Sequence, residues 1–359
     1  MKFDFCIGNP PYQESGSTNN RAEPIYPYFY DAAESIADRY MLISPARFLF
    51  NAGLTSKEWN RKMLSDEHLK VEYYNQNSSE VFSNTDIKGG VAVMYRDATK
   101  EFGAIEEFMS DDNIRKLVSH FSKNETLNLP SIMFGGRSDL KFNSAFLEKY
   151  PQSTDDRLKA IQEKHPEVTS LGPNEEYELK SPTLDVLHYA FKQHVDDENQ
   201  YYKIFGLVDG KRAFRYIEKE YMSPRYPDNN NIQKWKVLIP KASGNGQFGE
   251  TISSPVVLGP NESATPTFIS LGAFDTKEEA ENAILYIRTK LTRALLGVLK
   301  ITQDIVPSKW AYVPIQDFSN NSDIDWTKSI SEIDQQLYQK YGLSQEEIDF
   351  VEKNVKEMA

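Results

Sequence analysis

Residues 3–12 read FDFCIGNPPY, a short apolar run that stops at Gly8-Asn9-Pro10-Pro11-Tyr12. Runs of this length that end in prolines are typical of buried β-strands, because proline cannot donate to the backbone hydrogen-bond ladder. The pattern therefore predicts a buried strand over 3–8 followed by a rigid turn. Ligands of α/β folds bind beyond the carboxyl ends of the strands, so this turn is also the first candidate for a functional site.

The rest of the first hundred residues alternates between strand and helix patterns. Helical spacing predicts a helix over 28–38 and a second one over 55–64, which Thr55 or Ser56 would cap. Further strands are predicted over 40–43, 69–74 and 90–95. This order predicts an α/β fold with a mostly parallel sheet and helices on its faces.

The sequence pattern changes after a polar stretch at 100–125, which we expect to be a helical linker. Aromatic, β-prone segments then surround one long amphipathic helix from about Thr276 to Leu299, which predicts an α+β domain. The last residues predict two acidic helices, the second capped by Ser344 with Glu347 in a capping box. We therefore expect an α/β domain over 1–125, an α+β domain over 126–320 and a short helical tail over 321–359.

The composition limits the classes of protein and site. The net charge is −12, from 41 basic and 53 acidic residues, which argues against a general polyanion binder that acts through bulk charge. A single cysteine, Cys6, excludes an internal disulfide framework and a cysteine-rich zinc site, and the five histidines lack metal-ligand spacing, so we expect no metal. With no apolar run long enough for a membrane span, we expect a cytoplasmic protein without a membrane partner.

The turn at 9–12 has the groups needed to activate an amine. The exocyclic amine of a nucleobase is a poor nucleophile because its lone pair is delocalised into the ring. Two acceptors facing its N–H groups, the Asn9 side-chain oxygen and the Pro10 carbonyl, would free that lone pair, and the two prolines hold the turn rigid. Tyr12 offers an aromatic face for a base taken out of the duplex. The alternative is an ordinary Pro-Pro turn.

The stretch Phe3–Tyr12 resembles the catalytic motif of amino-group DNA methyltransferases of the adenine-N6 branch. Residues 40–47 (YMLISPAR) resemble the next strand and turn of that family, and Glu80-Val-Phe82 resembles the segment that stacks on the base from the far side. The resemblance implies that Asn9, Pro10, Pro11 and Tyr12 are catalytic and that Tyr12 and Phe82 sandwich the adenine. The alternative for Phe82 is simple core packing.

Residues 200–340 resemble the C-terminal recognition regions of Eco57I-like restriction–modification methylases, as in KVLIPK (236–241), FISLG (268–272) and YIRTK (286–290). The resemblance implies a partial Rossmann-like methyltransferase sheet followed by a target-recognition domain that binds double-stranded DNA. Basic side chains suit phosphates and amide side chains suit adenine edges. We therefore expect DNA-binding residues at Lys241, Asn245 and Gln247, although an empty structural loop is equally compatible with the pattern.

The resemblance also implies S-adenosylmethionine as cofactor, yet the aromatic-x-Gly-x-Gly turn that binds it in that family has no counterpart in these residues. The stretch GNGQFG at 244–249 fits a nucleotide-binding pattern only in its letters, because it does not join a strand to a helix. The cofactor-binding residues are therefore unknown. We expect a truncated or split enzyme that by itself does not bind the cofactor, with a separate chain supplying that half or with self-association.

Together these features predict a site-specific DNA adenine-N6 methyltransferase of a restriction–modification system. Two alternatives remain open at the level of sequence. One is a non-catalytic DNA-recognition or specificity module. The other is a protein methyltransferase that acts on a glutamine amide, since that reaction uses the same NPPY chemistry.

Overall fold

The computed structural model describes residues 3–14, 23–123, 126–226 and 231–358. The chain divides into two compact units. The first contains residues 1–119 together with the short segments 245–248 and 297–303, and the second contains residues 120–244, 249–296 and 304–359. Both units combine helices with sheets, so the chain is a mixed α/β protein. Within the described ranges, no helix is both long enough and apolar enough to cross a membrane.

The first unit contains both strands and α-helices. In chain order they are β1 (Cys6–Gly8), β2 (Gln13–Glu14), β3 (Glu23–Pro24), α1 (Tyr26–Ile36), β4 (Arg39–Pro45), α2 (Lys57–Ser65), β5 (Leu69–Asn75), β6 (Val91–Asp97) and α3 (Asp112–Val118). The predicted strands and helices are thus found, with ends displaced by a few residues. The predicted helical linker over 100–125 is wrong except for α3, which Asp111 caps by accepting a hydrogen bond from the backbone N–H of Asn113.

Four strands of this unit form one sheet in the order β1-β4-β6-β5. β1 pairs with β4 in parallel, whereas β6 is antiparallel to both β4 and β5. The prediction of a mostly parallel sheet is therefore wrong for β6. The reason lies in the connection between β5 and β6: residues 76–90 contain no α-helix to cross a face of the sheet, which a parallel pairing usually needs.

The prediction of a buried first strand is also wrong. β1 lies at the edge of the sheet, and the apolar side chains in and before it are largely exposed: 74% of the Ile7 surface and 62% of the Phe3 surface face solvent. Only Cys6 is partly buried against the core. An apolar run predicts that a strand is buried, but it does not identify the element that covers the strand. Within the described residues of this unit, no strand pairs with the outer edge of β1.

The core of the first unit is aromatic and contacts the carboxyl end of β4. The rings of Tyr30, Phe48 and Trp59 pack edge-on or tilted with centroid distances of 5.1–6.2 Å. The hydroxyl of the buried Tyr30 shares a hydrogen bond of 2.9 Å with Ser44 at the end of β4. This packing fixes the strand end beside which the NPPY turn stands.

The second unit carries its own sheets and helices. In chain order its elements are β7 (Met133–Phe134), β8 (Leu140–Phe142), α4 (Ser144–Lys149), α5 (Ser153–Gln162), α6 (Thr183–Val186), β9 (Tyr201–Val208), β10 (Lys211–Glu218), β11 (Met222–Pro224), β12 (Trp235–Pro240), β13 (Val256–Leu258), β14 (Glu262–Ala264), β15 (Phe268–Phe274), α7 (Lys277–Arg288), α8 (Lys290–Leu299), α9 (Ile330–Tyr341) and α10 (Gln345–Asn354). Its sheets have the orders β13-β12-β15-β7, β10-β9-β14 and β11-β8.

The long helix predicted over 276–299 is two helices, which break at Thr289. The backbone of Thr289 is extended (ψ 151°), and its hydroxyl accepts a hydrogen bond from the Thr292 N–H. The buried Asp334 accepts from the backbone N–H groups of Lys290 and Leu291 and so caps the second helix. The apolar spacing continues across the break, which is why periodicity alone predicts one helix. The two predicted helices of the tail are found, including the capping box of Ser344 and Glu347.

Candidate functional site

The NPPY turn follows β1 directly and presents two acceptors. Asn9 and Pro11 are exposed, while Pro10 is buried. Among the described residues, no donor forms a hydrogen bond with the Asn9 side-chain oxygen or with the Pro10 carbonyl. At the last residue of the turn, the Tyr12 carbonyl accepts a hydrogen bond from the Ile25 N–H at 3.1 Å. The two predicted acceptors thus form no hydrogen bond with the described residues, and their role in catalysis stays a prediction.

A cavity of about 320 Å³ lies beside Tyr12 in the same unit. Its walls come from the segments after β1, β4 and β5, and they include Tyr12, Arg47, Asp86 and Ile87. The Tyr12 hydroxyl is buried without a hydrogen-bond partner among the described residues, and burial raises the pKa of that hydroxyl, so it stays a neutral donor and acceptor. An orphaned hydroxyl in a cavity is a group that a ligand can satisfy.

Arg47 places a positive charge in the wall of this cavity, which the acidic Asp86 also lines. Its Nε donates to the backbone carbonyl of Lys88 at 2.5 Å. Gly89 has a φ of +87°, and a Cβ placed there would come within 2.9 Å of the Arg47 side chain. Arg47 was not predicted as a site residue. The signal that could have found it is its position two residues after the end of β4, where α/β folds place ligand contacts.

The loop from 76 to 90 is organised by short-range hydrogen bonds. Asn77 caps its first turn by accepting from the Ser79 N–H, and the Ser78 hydroxyl accepts from the Ile87 N–H at 2.8 Å. These bonds bring Asp86 and Ile87 to the cavity wall. The loop is therefore a fixed part of the site.

Phe82 lies on that same loop and is half-buried. Its N–H donates to the Ser78 carbonyl and its own carbonyl accepts from the Thr85 hydroxyl, both at 2.8 Å. Within the described ranges, Phe82 neither lines the cavity nor makes a ring contact with Tyr12. The sandwich of an adenine between Tyr12 and Phe82 stays a prediction.

The three expected DNA-binding residues are exposed. Lys241 belongs to the second unit, whereas Asn245 and Gln247 belong to the short segment that packs in the first unit. The Asn245 side-chain oxygen accepts from the Gln247 N–H at 3.2 Å, so this side chain shapes its own loop. Their role in DNA binding stays a prediction.

The glycines of 244–249 do not form a cradle for S-adenosylmethionine. Gly246 has a φ of +94°, and a Cβ there would lie 2.2 Å from the Ile301 backbone. Gly249 faces the backbone of Asn354 and Val355 in the same way. The glycines are thus required by close packing against the chain itself, and the stretch leads to β13 and not to a helix. These residues do not fit the cofactor.

A metal site is likewise not formed by the part of the chain that the structure describes. It contains no cluster of three or more acidic, histidine or cysteine side chains that could hold a metal ion.

Comparison with known proteins gives sequence matches over part of the chain. Residues 1–82 match the family model described as Eco57I restriction-modification methylase. A protein of Mycoplasma pneumoniae described as an uncharacterized adenine-specific methylase is 34% identical over 95 residues, which are 25% of this chain and 22% of that protein.

Two solved structures are similar at low identity. The type IIG restriction endonuclease BpuSI has a TM-score of 0.32 and 10% identity, covering 94% of this chain and 48% of that one. The type IIL restriction-modification enzyme MmeI, solved in complex with DNA, has a TM-score of 0.42 and 11% identity, covering 98% and 56%. The chain thus spans about half the length of these two proteins. Over its first 82 residues, which include the NPPY turn, Tyr12 and Arg47, the chain resembles the Eco57I restriction-modification methylases.

Proposed function

We propose that this chain supplies the catalytic turn and the target-recognition region of a DNA adenine-N6 methyltransferase of a restriction–modification system. The observation that carries the proposal is the NPPY turn itself. Its two acceptors, Asn9 and Pro10, have no partner among the described residues, and a cavity with an orphaned Tyr12 hydroxyl lies beside it. The match of residues 1–82 to the methylase family supports the same function.

In the proposed mechanism, the adenine leaves the duplex and enters beside Tyr12, whose ring stacks on the base. The Asn9 side-chain oxygen and the Pro10 carbonyl each accept one N–H of the N6 amine. Both bonds withdraw the nitrogen lone pair from the ring and favour a tetrahedral nitrogen. That nitrogen would bond to a methyl group as the bond between the methyl group and its donor breaks, and one N6 proton would then pass to solvent. Because the turn is rigid, the acceptors need no reorganisation when the reaction occurs. Arg47 would contact the phosphate next to the flipped nucleotide.

The methyl donor expected from the family resemblance is S-adenosylmethionine, for which the described residues offer no cradle. The donor-binding part would then come from a segment outside these 359 residues, on the same polypeptide or on a separate chain. The exposed edge of β1 supports this arrangement, since Ile7 and Phe3 expose apolar surface beside a strand edge that no described strand of this unit pairs with. A further strand along β1 would extend the sheet into a Rossmann-like one.

The test is methylation of unmodified genomic DNA by the chain together with a donor-binding part of a related methylase. N6-methyladenine should appear at one sequence motif, and Asn9→Ala should reduce it by roughly 10³-fold, because the amine then keeps its lone pair in the ring. Asn199→Ala is the matched control, since Asn199 is an exposed asparagine that donates through its backbone N–H to Asp197. Methylation that survives in Asn9→Ala would reject the mechanism. Transfer to a glutamine amide in protein, with DNA unmodified, would support the alternative substrate.

A further inference from the structure

A second cavity, of about 210 Å³, lies in the second unit beside α5. Most of its wall is apolar, from Ile161, Leu171 and Val186 among others, and its charged residues are mainly basic. Nothing in the proposed methyltransferase site uses this cavity, which is built by residues 157–186.

The buried arginine of this wall has two donors without an acceptor. Arg157 is only 7% exposed. Its Nη1 donates to the Glu178 carbonyl at 2.8 Å, and its guanidinium carbon lies 5.0 Å from the centre of the Phe142 ring. Its Nε and Nη2 have no hydrogen-bond partner in the part of the chain that the structure describes. These two N–H groups form one edge of the guanidinium, the edge that holds a carboxylate or a phosphate through two parallel hydrogen bonds.

Among the described residues of the cavity wall, no acid pairs with this edge; Glu176 and Glu178, outside the wall, favour the charged form of Arg157 without a hydrogen bond to Nε or Nη2. The acidic side chain of the wall, Glu175, is already paired with Lys180. Lys164 stands exposed at the rim and forms no ion pair with a described residue. Burial lowers the pKa of Arg157 to about 10, so the charged guanidinium is less stable here than in water. Buried donors without a partner are rare in native proteins, and a bound ion or water molecule commonly satisfies such groups.

We propose that this cavity binds a phosphate or carboxylate group carried on a small apolar body. The oxyanion accepts both hydrogen bonds of the Nε–Nη2 edge of Arg157, and the apolar body occupies the space beside Ile161 and Val186. Lys164 at the rim attracts the anion. The proposal does not depend on adenine methylation, because it concerns the second unit alone.

The first test is calorimetric titration of the full chain with phenyl phosphate, which combines an oxyanion with an apolar body. Phenol, which lacks the oxyanion, should bind at least about tenfold more weakly. Arg157→Lys keeps the charge but removes the two parallel N–H donors of the guanidinium edge. It should weaken phenyl phosphate binding by at least about tenfold. Val186→Trp fills the cavity and should have the same effect while leaving the guanidinium intact. Arg115→Lys, at an exposed arginine of α3, is the matched control and should leave the affinity unchanged.

A second titration, with a short duplex DNA, distinguishes the two sources of the oxyanion. If Arg157→Lys and Val186→Trp weaken the duplex by the same factor as phenyl phosphate, the ligand is a backbone phosphate of DNA. If the duplex is unaffected while phenyl phosphate is lost, the ligand is a free small molecule. The proposal is overturned if the wild-type chain shows no saturable binding of phenyl phosphate at millimolar concentration, or if both cavity variants bind it as tightly as Arg115→Lys. If Arg157→Lys does not fold, the affinity of Val186→Trp for phenyl phosphate alone tests the proposal.

Discussion

Arg47 donates from Nε to the backbone carbonyl of Lys88 at 2.5 Å, across 41 positions of sequence. The bond joins the segment after β4 to the loop that precedes β6, and both line the cavity beside Tyr12. One side chain therefore joins two segments of the cavity wall and also places a positive charge there.

Replacing Arg47 by methionine should loosen this loop. A hydrogen bond from a charged group contributes about 1.5–3 kcal/mol, so we expect the free energy of unfolding to fall by that order. Amide hydrogen exchange at Ile87 and Gly90 should accelerate, while exchange in α1 stays unchanged. Arg39→Met is the matched control, because the exposed Arg39 also donates from Nε to a carbonyl, that of Asp4, but far from the loop end at 87–90. Equal exchange at 87–90 in both variants would show that Arg47 does not hold the loop.

Gly90 should tolerate substitution by alanine far less than Gly103, although both have a positive φ (+77° and +83°). A Cβ at Gly90 would lie 2.2 Å from the Asn75 carbonyl, whereas nothing lies within 4 Å of one at Gly103. Gly103→Ala should lower the free energy of unfolding by about 1 kcal/mol, the cost of the backbone conformation alone. Gly90→Ala should lower it by more than about 3 kcal/mol, because β5 and β6 must separate. Chemical denaturation of the two variants measures this, and similar losses would contradict the packing at Gly90.

Asp97, at the end of β6, should make the chain acid-sensitive. Hydrogen bonds from the Thr99 hydroxyl and N–H and from the Tyr95 hydroxyl lower the pKa of Asp97 to about 2, against an ordinary value of 3.8. A lowered pKa means that the unfolded chain binds the proton first as pH falls. The stability that the carboxylate provides is therefore fully present above the ordinary pKa of 3.8 and is lost as pH falls towards 2. Asp97→Asn should remove this part of the pH dependence in thermal melts, whereas Asp112→Asn, at an exposed acid, should not.

Much of the fold could be predicted from local signals in the sequence. Capping residues define helix ends within a few residues, and Ser56 and Ser344 cap α2 and α10 as the sequence indicates. The break at Thr289 could not be predicted, because the Asp334 carboxylate that caps α8 stands 44 positions along the chain from Lys290. The direction of β6 leaves no mark on its own apolar pattern; the signal is in the connection before it, since residues 76–90 contain no α-helix that could cross a face of the sheet.

In the candidate site, too, some residues could be predicted from local sequence and others depend on the fold. The NPPY motif consists of four consecutive residues, so Asn9 and Tyr12 could be predicted as site residues from the sequence alone, and their roles stay a prediction. Arg47 and Asp86 meet at the cavity only through the fold, and neither was predicted to line it. Arg157 could not be predicted as a site residue for another reason. The sequence shows only a charged residue on a helix, whereas the structure shows that this residue is buried and that two of its donors have no partner among the described residues.

DNA binding should be modest and strongly dependent on salt, because a net charge of −12 opposes the local basic residues. If Lys241 contacts a phosphate, Lys241→Ala should weaken binding to all duplexes alike and reduce the slope of log affinity against log salt by about 1. Gln247→Ala should instead change the preference among sequences. Gel shifts at several salt concentrations separate the two effects. Absence of any DNA binding at low salt would count against the recognition region.

The exposed edge of β1 makes one further prediction about assembly. On the opposite edge of the same sheet, β5 exposes Tyr73, which is 47% accessible, so the two edges provide a matched pair of positions. Because Ile7 is already 74% exposed, Ile7→Lys should leave the stability of the chain within about 0.5 kcal/mol of the wild type. The same is expected of Tyr73→Lys. If only Ile7→Lys then fails to assemble with a partner chain, the β1 edge is the surface that the partner contacts.

Co-expression with the donor-binding part of a related methylase should give a stable complex that methylates adenine. Ile7→Lys should abolish the complex, since a lysine in a newly formed strand pair would be buried without a partner, whereas Tyr73→Lys should not affect it. Asn9→Ala should keep the complex and lose the methylation, which separates assembly from chemistry. Size-exclusion chromatography of the purified variants, followed by a methylation assay, measures both. A complex that forms equally well with Ile7→Lys, or a methylating monomer with its β1 edge open to solvent, would reject β1 as the docking edge.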